Sequence, residues 1–572
     1  MIDVPLWIAT AAPLALLLAF LAPPLRPAAR ALIAVVPLPA LAVALADPAP
    51  EPVFLDWLLL GTVFTLTDTA SVFLALTALL WALAGWQAMR LLAMDPAIDR
   101  LAAFFLLAMT GNIGLLTAGD VITFYAFFTM MSLASWGLIL HGGGAAQVFA
   151  GRVYIVFAIA GEIALFAGLS VASFAVEDTS MEAIRSPEVP TAALWLMTGG
   201  LLVKLGAVPL HLWLPLAHAA APAPASAVLS GSMLKAGLFG LIAFLPLGLE
   251  PLPALAAALA AMALSGIVLA PVLGFVQGDA KAVLAYSSIG QMSLMALGLA
   301  AALATPGAWP ALSVAIILLA ANHGFAKAAL FLGVPAVWAS ATTVTRIVVL
   351  SLLALPALAL AGLPATSGFI AKDTLKSALG GAADGWGVWL GAALFIASLG
   401  TALLMARALY LLARAGARPA TPRDVLLPWL GMLGLVIVGL AIVPADVPEQ
   451  STPTLADVVP IGIAIVATLA GLAAARYGRW QLLPARPGEI LGLLEQAARP
   501  EPLLALRPPP RRGRALTIRR RPMRPRRPEY GALAMLSMAA VLALGMAWSA
   551  PTPQTVSALD ARNAATVKEP IR

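Results

Sequence analysis

The chain has 572 residues, of which 61% are hydrophobic and 11% charged, against about 25% charged in an ordinary soluble domain. This excludes a soluble globular protein: no soluble core hides so much apolar surface, and the solvent for the fold is lipid. The absence of cysteine excludes disulfides, thiolate-ligated iron–sulfur clusters and cysteine nucleophiles, and the net charge of +7 does not signal nucleic acid, because the positive charge is concentrated in loops and in one run from Arg511 to Arg527.

Apolar runs between charged or Pro/Gly breaks predict spans near 5–23, 28–47, 70–92, 101–119, 121–141, 151–174, 191–210 and 226–248. They continue near 252–276, 281–303, 308–334, 343–380, 386–412, 425–443, 458–476 and 530–549, giving about sixteen transmembrane helices, each able to cross roughly 30 Å of hydrocarbon. Met-Ile-Asp before the first run carries no positive charge, so that run is expected to be the first span and not a cleaved signal.

Short cytoplasmic loops hold an excess of Lys and Arg. From an outside N-terminus the inside loops carry Arg26 and Arg30, Arg90 and Arg100, Arg152, Lys281, Arg346, Arg414 and Arg418, and the Arg511–Arg527 run. The opposite loops are acidic or neutral, with Asp47, Glu51 and Asp56, then Glu177, Asp178 and Glu182, Glu250, Asp384, and Asp446 with Glu449. The expected location is a bacterial-type cytoplasmic membrane, with both termini outside.

Two spans are interrupted, one at Gly206-Ala-Val-Pro209 and Pro215, the other at Gly362-Leu-Pro364 and Gly368. Breaks about five spans apart suit two inverted five-helix repeats, each with a broken helix and an ion site at the unwound backbone; ordinary proline kinks are the alternative. The expected division is 1–100 (three helices), 101–250 and 251–412 (the repeats), 413–476 (two helices), 477–529 (a basic cytoplasmic segment) and 530–572 (last helix and tail).

A charge at mid-bilayer is costly and so points to function. Lys204 lies in GGLLVKLGAVPL, Lys235 in SGSMLKAGLF, His323 and Lys327 one helical turn apart in NHGFAKAALF, and Lys372 in SGFIAKD. Desolvation brings a lysine toward the working pH range, so this series predicts a proton path. The alternative for each is snorkelling to an interface along the four-carbon stem. Glu162 in YIVFAIAGEIALFAGL is a candidate carboxylate for Lys204, or a protonated acid bonded to a carbonyl; Asp373 stands beside Lys372. His211 and His218 in PLHLWLPLAHAAAPAP extend the relay toward the cytoplasm or act as helix-terminal donors. No metal site or cofactor is expected in this chain.

The stretch VKLGAVPLHLWLPLAHAAAPAPASAVLSGSMLKAGLFG, followed by DAKAVLAYSSIGQMSLMALG, NHGFAKAALFLG and LAGLPATSGFIAKD, resembles the antiporter-like subunits of respiratory complex I, Mrp cation/proton antiporters and group 4 membrane-bound hydrogenases. The resemblance covers roughly residues 55–415. It implies that Lys204 is the lysine of the first broken helix, Lys235 that of the following helix, Lys327 with His323 the central relay, and Lys372 the exit at the second broken helix. It also implies a glutamate in the block that here reads Phe127-Phe128-Thr129-Met130-Met131-Ser132, where Thr129 takes its place. Either Glu162 supplies the displaced carboxylate, or the N-terminal channel has altered gating.

The expected function is therefore a proton-conducting subunit of a multisubunit energy-converting complex, with other membrane subunits as partners and any redox enzyme activity residing in them. A non-pumping or Na⁺/K⁺-coupled partner of an enzyme or inorganic-carbon uptake complex is the alternative. Residues 477–529, rich in Pro and Arg, allow at most a short helix near Glu489–Ala498. That argues for an Mrp-like or hydrogenase-like assembly over standard complex I, whose distal subunit carries a long lateral helix. The Arg511–Arg527 run reads as an anchor on anionic lipid or as a dock for an acidic partner.

Overall fold

Lipid offers the backbone no hydrogen-bond partners, so a spanning chain must satisfy its own donors and acceptors. The computed structural model does so with helices and one short hairpin; it describes residues 6–46, 50–59, 61–380, 387–418, 421–439 and 453–477. In chain order these elements are α1 (Ile8–Ala19), α2 (Arg26–Leu32), α3 (Leu38–Ala44) and the antiparallel strands β1 (Val53–Leu55) and β2 (Thr62–Phe64). Next come α4 (Asp68–Leu91), α5 (Ile98–Leu116), α6 (Val121–Leu140), α7 (Ala145–Val176), α8 (Thr191–Leu205) and α9 (Trp213–Ala220). They are followed by α10 (Ala223–Val228), joined through a π-helical turn at Leu229–Met233 to α11 (Leu234–Phe244), then α12 (Pro253–Phe275), α13 (Ala280–Ala304) and α14 (Trp309–Ala339). The last are α15 (Thr343–Ala361), α16 (Ser367–Gly380), α17 (Gly387–Arg414), α18 (Leu426–Val438) and α19 (Leu455–Tyr477).

Among the described residues ten helices are long and apolar enough to cross a membrane, or eleven if the pair made by α1 and Pro23–Leu32, bent by 117°, counts as one span. The expected span at 28–47 is divided into α2 and α3. Pro37 and Pro39 occupy the start of α3, where their missing N–H is tolerated, but neither can continue α2. The expected run at 343–380 is α15, itself long enough to span, followed by the shorter α16. The expected span at 530–549, the 477–529 segment beyond Tyr477 and the Arg511–Arg527 run lie outside the described residues.

Both sequence breaks are helix ends closed in the same way. Gly206 (φ 74°) and Gly362 (φ 87°) are left-handed, a conformation glycine adopts without a Cβ penalty. The N–H of Ala207 bonds Leu202 O and that of Leu363 bonds Leu358 O, each at 3.1 Å. The chain then resumes as α9 and α16.

Loops expected on one side of the membrane meet one another. At one end the hairpin bonds the α5–α6 turn (Thr65 N to Thr117 O, 2.9 Å; Gly119 N to Val63 O, 2.8 Å), and that turn bonds the loop after α7 (Val121 N to Thr179 O, 2.9 Å). At the other end Arg30 pairs with Asp99 at 2.9 Å and Arg90 with Asp424 at 3.3 Å. There too Arg100 donates to His141 O, Lys281 to Ala221 O and Arg346 to Leu412 O. The basic loops thus gather at one end of the bundle, as their alternation in sequence requires.

Candidate functional site

Lys204 sits in the last turn of α8, where the helix dipole favours a positive charge. Its ammonium donates to Ser132 Oγ (3.0 Å) and to the Tyr154 hydroxyl (3.4 Å), and lies 5.8 Å from the Phe128 ring centre. Tyr154 in turn donates to Ser132 O at 2.8 Å. Glu162, buried on α7, lines the same small cavity as Lys204, Ser132 and Tyr154. Its carboxylate interacts with the Lys204 charge, and its Oε1 is buried without a hydrogen-bond partner among the described residues. Thr129, half-buried, stands one turn before Ser132 on α6.

Close packing of α7 on α8 brings these groups together. A Cβ on Gly200 would lie 2.5 Å from Gly161 O and 2.8 Å from Leu165 N, so only glycine lets the two backbones approach, as small residues do between membrane helices. Gly200→Val is expected to force α7 and α8 apart at about 1–3 kcal/mol or more, read as a lowered thermal unfolding midpoint together with loss of the Glu162–Lys204 arrangement.

The second cluster lies between α11, α13 and α14. Lys235 donates to Ser230 O (2.8 Å) and meets His323 Nδ1 at 2.6 Å. The π-helical turn before α11 contains Ser230, and the hydroxyls of Ser230 and Ser288 are 2.8 Å apart. Lys327 donates to Leu284 O (2.7 Å) and to Ser287 Oγ. Lys235, His323 and Lys327 are all buried, and no carboxylate forms an ion pair with either lysine among the described residues. No direct hydrogen bond joins Lys204 to Lys235 among the described residues.

His218 on α9 stacks on Phe331 at 4.8 Å, and neither ring nitrogen meets a hydrogen-bond partner among the described residues. The charges of both Lys327 and Lys281 act on it. His211, in the gap between α8 and α9, is buried with its ring 6.3 Å from that of Tyr286.

Lys372 on α16 reaches back to the second break, donating to Ala361 O (2.9 Å) and to Ser398 Oγ on α17 (3.1 Å). The last carbonyls of α15 are thereby capped by a cation. These bonds do not go to Asp373, since neighbouring side chains on a helix face different directions.

Sequence reasoning missed the hydroxyls and amides between these cations. On α13, Ser287 and Gln291 are one turn apart; Gln291 Nε2 donates to Thr401 Oγ1 at 2.9 Å, and Thr401 is one turn from Ser398 on α17. A polar line, buried except at half-buried Ser398, therefore runs from Lys327 past Ser287, Gln291, Thr401 and Ser398 to Lys372. The signal was present in AYSSIGQMS, a polar cluster within an apolar run, but its partners on α17 are over a hundred residues away. A second polar contact, Ser367 Oγ to Asn322 Oδ1 at 2.9 Å, ties the start of α16 to the residue before His323. No group of three or more potential metal ligands occurs among the described residues.

The family described as NADH:quinone oxidoreductase/Mrp antiporter, transmembrane, matches residues 118–399. NADH-quinone oxidoreductase subunit N of Desulforudis audaxviator is 31% identical over 59% of this chain and 73% of its own length. NAD(P)H-quinone oxidoreductase chain 4 2 of Thermosynechococcus vestitus is 36% identical over 35% of this chain, and the match spans only 39% of that relative. A chain of the Mrp complex from Dietzia sp. DQ12-45-1b shares the fold, with a TM-score of 0.68 at 20% identity, covering 99% of this chain and 64% of its own.

Proposed function

The chain belongs to the NADH:quinone oxidoreductase/Mrp antiporter membrane family, and from that premise we propose that this multi-pass, antiporter-like subunit moves protons along its buried Lys/His series. The observation that carries the reading is the central cluster, where Lys235, His323 and Lys327 are buried without a paired acid among the described residues. A well-packed apolar core would be cheaper than such cations, and a chain of ammonium, imidazole and hydroxyl groups within hydrogen-bond reach passes protons between neighbours.

In this reading Lys204 and Glu162 form the gate of the first half. Ser132, bonded to Lys204, holds the lysine in the cavity that Glu162 also lines, and Glu162 does the work of the carboxylate that Thr129 replaces. A proton leaving Lys204 reaches Lys235 through water entering between α8 and α11. From Lys327 it follows Ser287, Gln291, Thr401 and Ser398 to Lys372, while His218 connects the cluster to the basic end. Gln291→Leu is expected to lower flux about tenfold while leaving the unfolding midpoint within a few degrees; stopped-flow dye measurements in proteoliposomes check this, and undiminished flux would remove the α13–α17 limb from the path.

The two glycine-capped breaks support a reading of 101–250 and 251–412 as inverted repeats within about sixteen helices. The gathered arginines support a cytoplasmic assignment for that end of the bundle, in a bacterial-type inner membrane with both termini outside. The relatives are named as parts of quinone oxidoreductases and the structural neighbour as part of an Mrp complex, so this chain is proposed to work beside other membrane subunits. The test is proton flux by the purified complex: it should be lost in Lys235→Met and Lys327→Met. Flux that persists in both rejects the relay.

A further inference from the structure

Away from the lysine series, a concave gap of about 670 Å³ opens at the basic end between α2 and α4. Arg30 comes to it from α2 and Arg90 from α4, with Trp86 one turn before Arg90. Ala31, Ala34 and Ala93 leave the space open, and no carboxylate is among the lining residues. Each guanidinium uses one nitrogen in an ion pair, Arg30 Nη1 to Asp99 Oδ1 and Arg90 Nη1 to Asp424 Oδ2. Their other donors bond no described residue. Asp99 is also approached by Arg26 at 3.8 Å, so the group around it carries an excess positive charge.

Val35 is shared with a second gap of about 840 Å³, bounded by apolar residues of α1 and α3 such as Ile8, Leu16, Leu38 and Pro39. Arg30 on α2 and Val35, in the turn that follows α2, are five residues apart and line the same gap. A charged recess thus adjoins a wholly apolar one at Val35, and the charged recess also carries an indole, a side chain that favours the membrane interface.

We propose that this paired recess is a binding site for one anionic glycerophospholipid, its phosphate held by Arg30 and Arg90 and an acyl chain lying in the apolar gap past Val35. Two features choose this occupant. Guanidinium forks match phosphate oxygens with parallel hydrogen bonds, and a headgroup needs charge at one end only, whereas a partner helix needs a long apolar face with polar ends satisfied. The site is separate from the proton path and stands whether or not that path conducts.

The full chain, purified with its native partners and reconstituted in nanodiscs of mixed phosphatidylglycerol and phosphatidylcholine, provides the test. After transfer to detergent, retained lipid is counted by native mass spectrometry. Wild type is expected to keep phosphatidylglycerol, and the Arg30→Gln/Arg90→Gln pair to retain at least about tenfold less, the scale of lost charge-assisted hydrogen bonds. Arg152→Gln, at the same end but outside the recess, should retain it fully. Should the double variant fold poorly, Ala34→Trp fills the gap and keeps both charges, and is expected to displace the lipid as well. Inorganic phosphate should not compete. Equal retention of both lipids by wild type, retention undiminished in Ala34→Trp, or displacement by free phosphate overturns the proposal.

Discussion

Lys235→Met is expected to abolish proton flux while leaving the protein at least as stable as the wild type. Lys235 is 2% exposed, and its ammonium is held only by Ser230 O and His323 Nδ1, without an ion pair among the described residues. Keeping an uncompensated cation in hydrocarbon costs several kcal/mol. Methionine fills nearly the same length with apolar atoms and suits irregular cores, so the unfolding midpoint should hold or rise. Flux should fall by roughly 100-fold or more, the scale of one positioned proton-transfer group. Proteoliposome acidification and a thermal scan, run on the same preparation, separate the two effects. A lower midpoint with normal flux would assign the lysine to structure.

Glu162→Gln is the second large effect. The amide keeps the shape but removes the charge that acts on Lys204, so a gate that depends on that charge should lose most of its flux, again roughly 100-fold. Returning a carboxylate to the neighbouring helix as Thr129→Glu in the Glu162→Gln background should recover a substantial part, because Thr129 lies one turn from Ser132, the residue that touches Lys204. Flux unchanged in Glu162→Gln removes Glu162 from the mechanism. Loss without recovery in the double variant means that the position of the acid, and not only its charge, is fixed.

These residues show how far one-dimensional reasoning reached. The intramembrane lysines and histidines were legible because a charge within a long apolar run is conspicuous, and their burial follows from the same apolar neighbours. The breaks at Gly206 and Gly362 were legible because Gly and Pro punctuate helices through their own backbone geometry, and the left-handed caps stand where those glycines fall. The β1–β2 hairpin was missed: its strands are three residues each, too short to show alternation, and are held by the α5–α6 turn. The division of the 28–47 run was missed as well, since an apolar run hides a bend that prolines impose without any change in hydropathy.

The sequence by itself determined that the chain lives in lipid, that helices break at Gly206 and Gly362, which loops lie together and which charges are buried, because these follow from residue chemistry and local backbone rules. Which acid shares a cavity with Lys204, and which polar side chains lie between Lys327 and Lys372, only the tertiary structure shows. Those pairings depend on how closely α7 can approach α8 over Gly161 and Gly200 and on the face that α17 turns toward α13. Helix rotation and separation are set by packing between segments far apart in the chain, which no local pattern encodes.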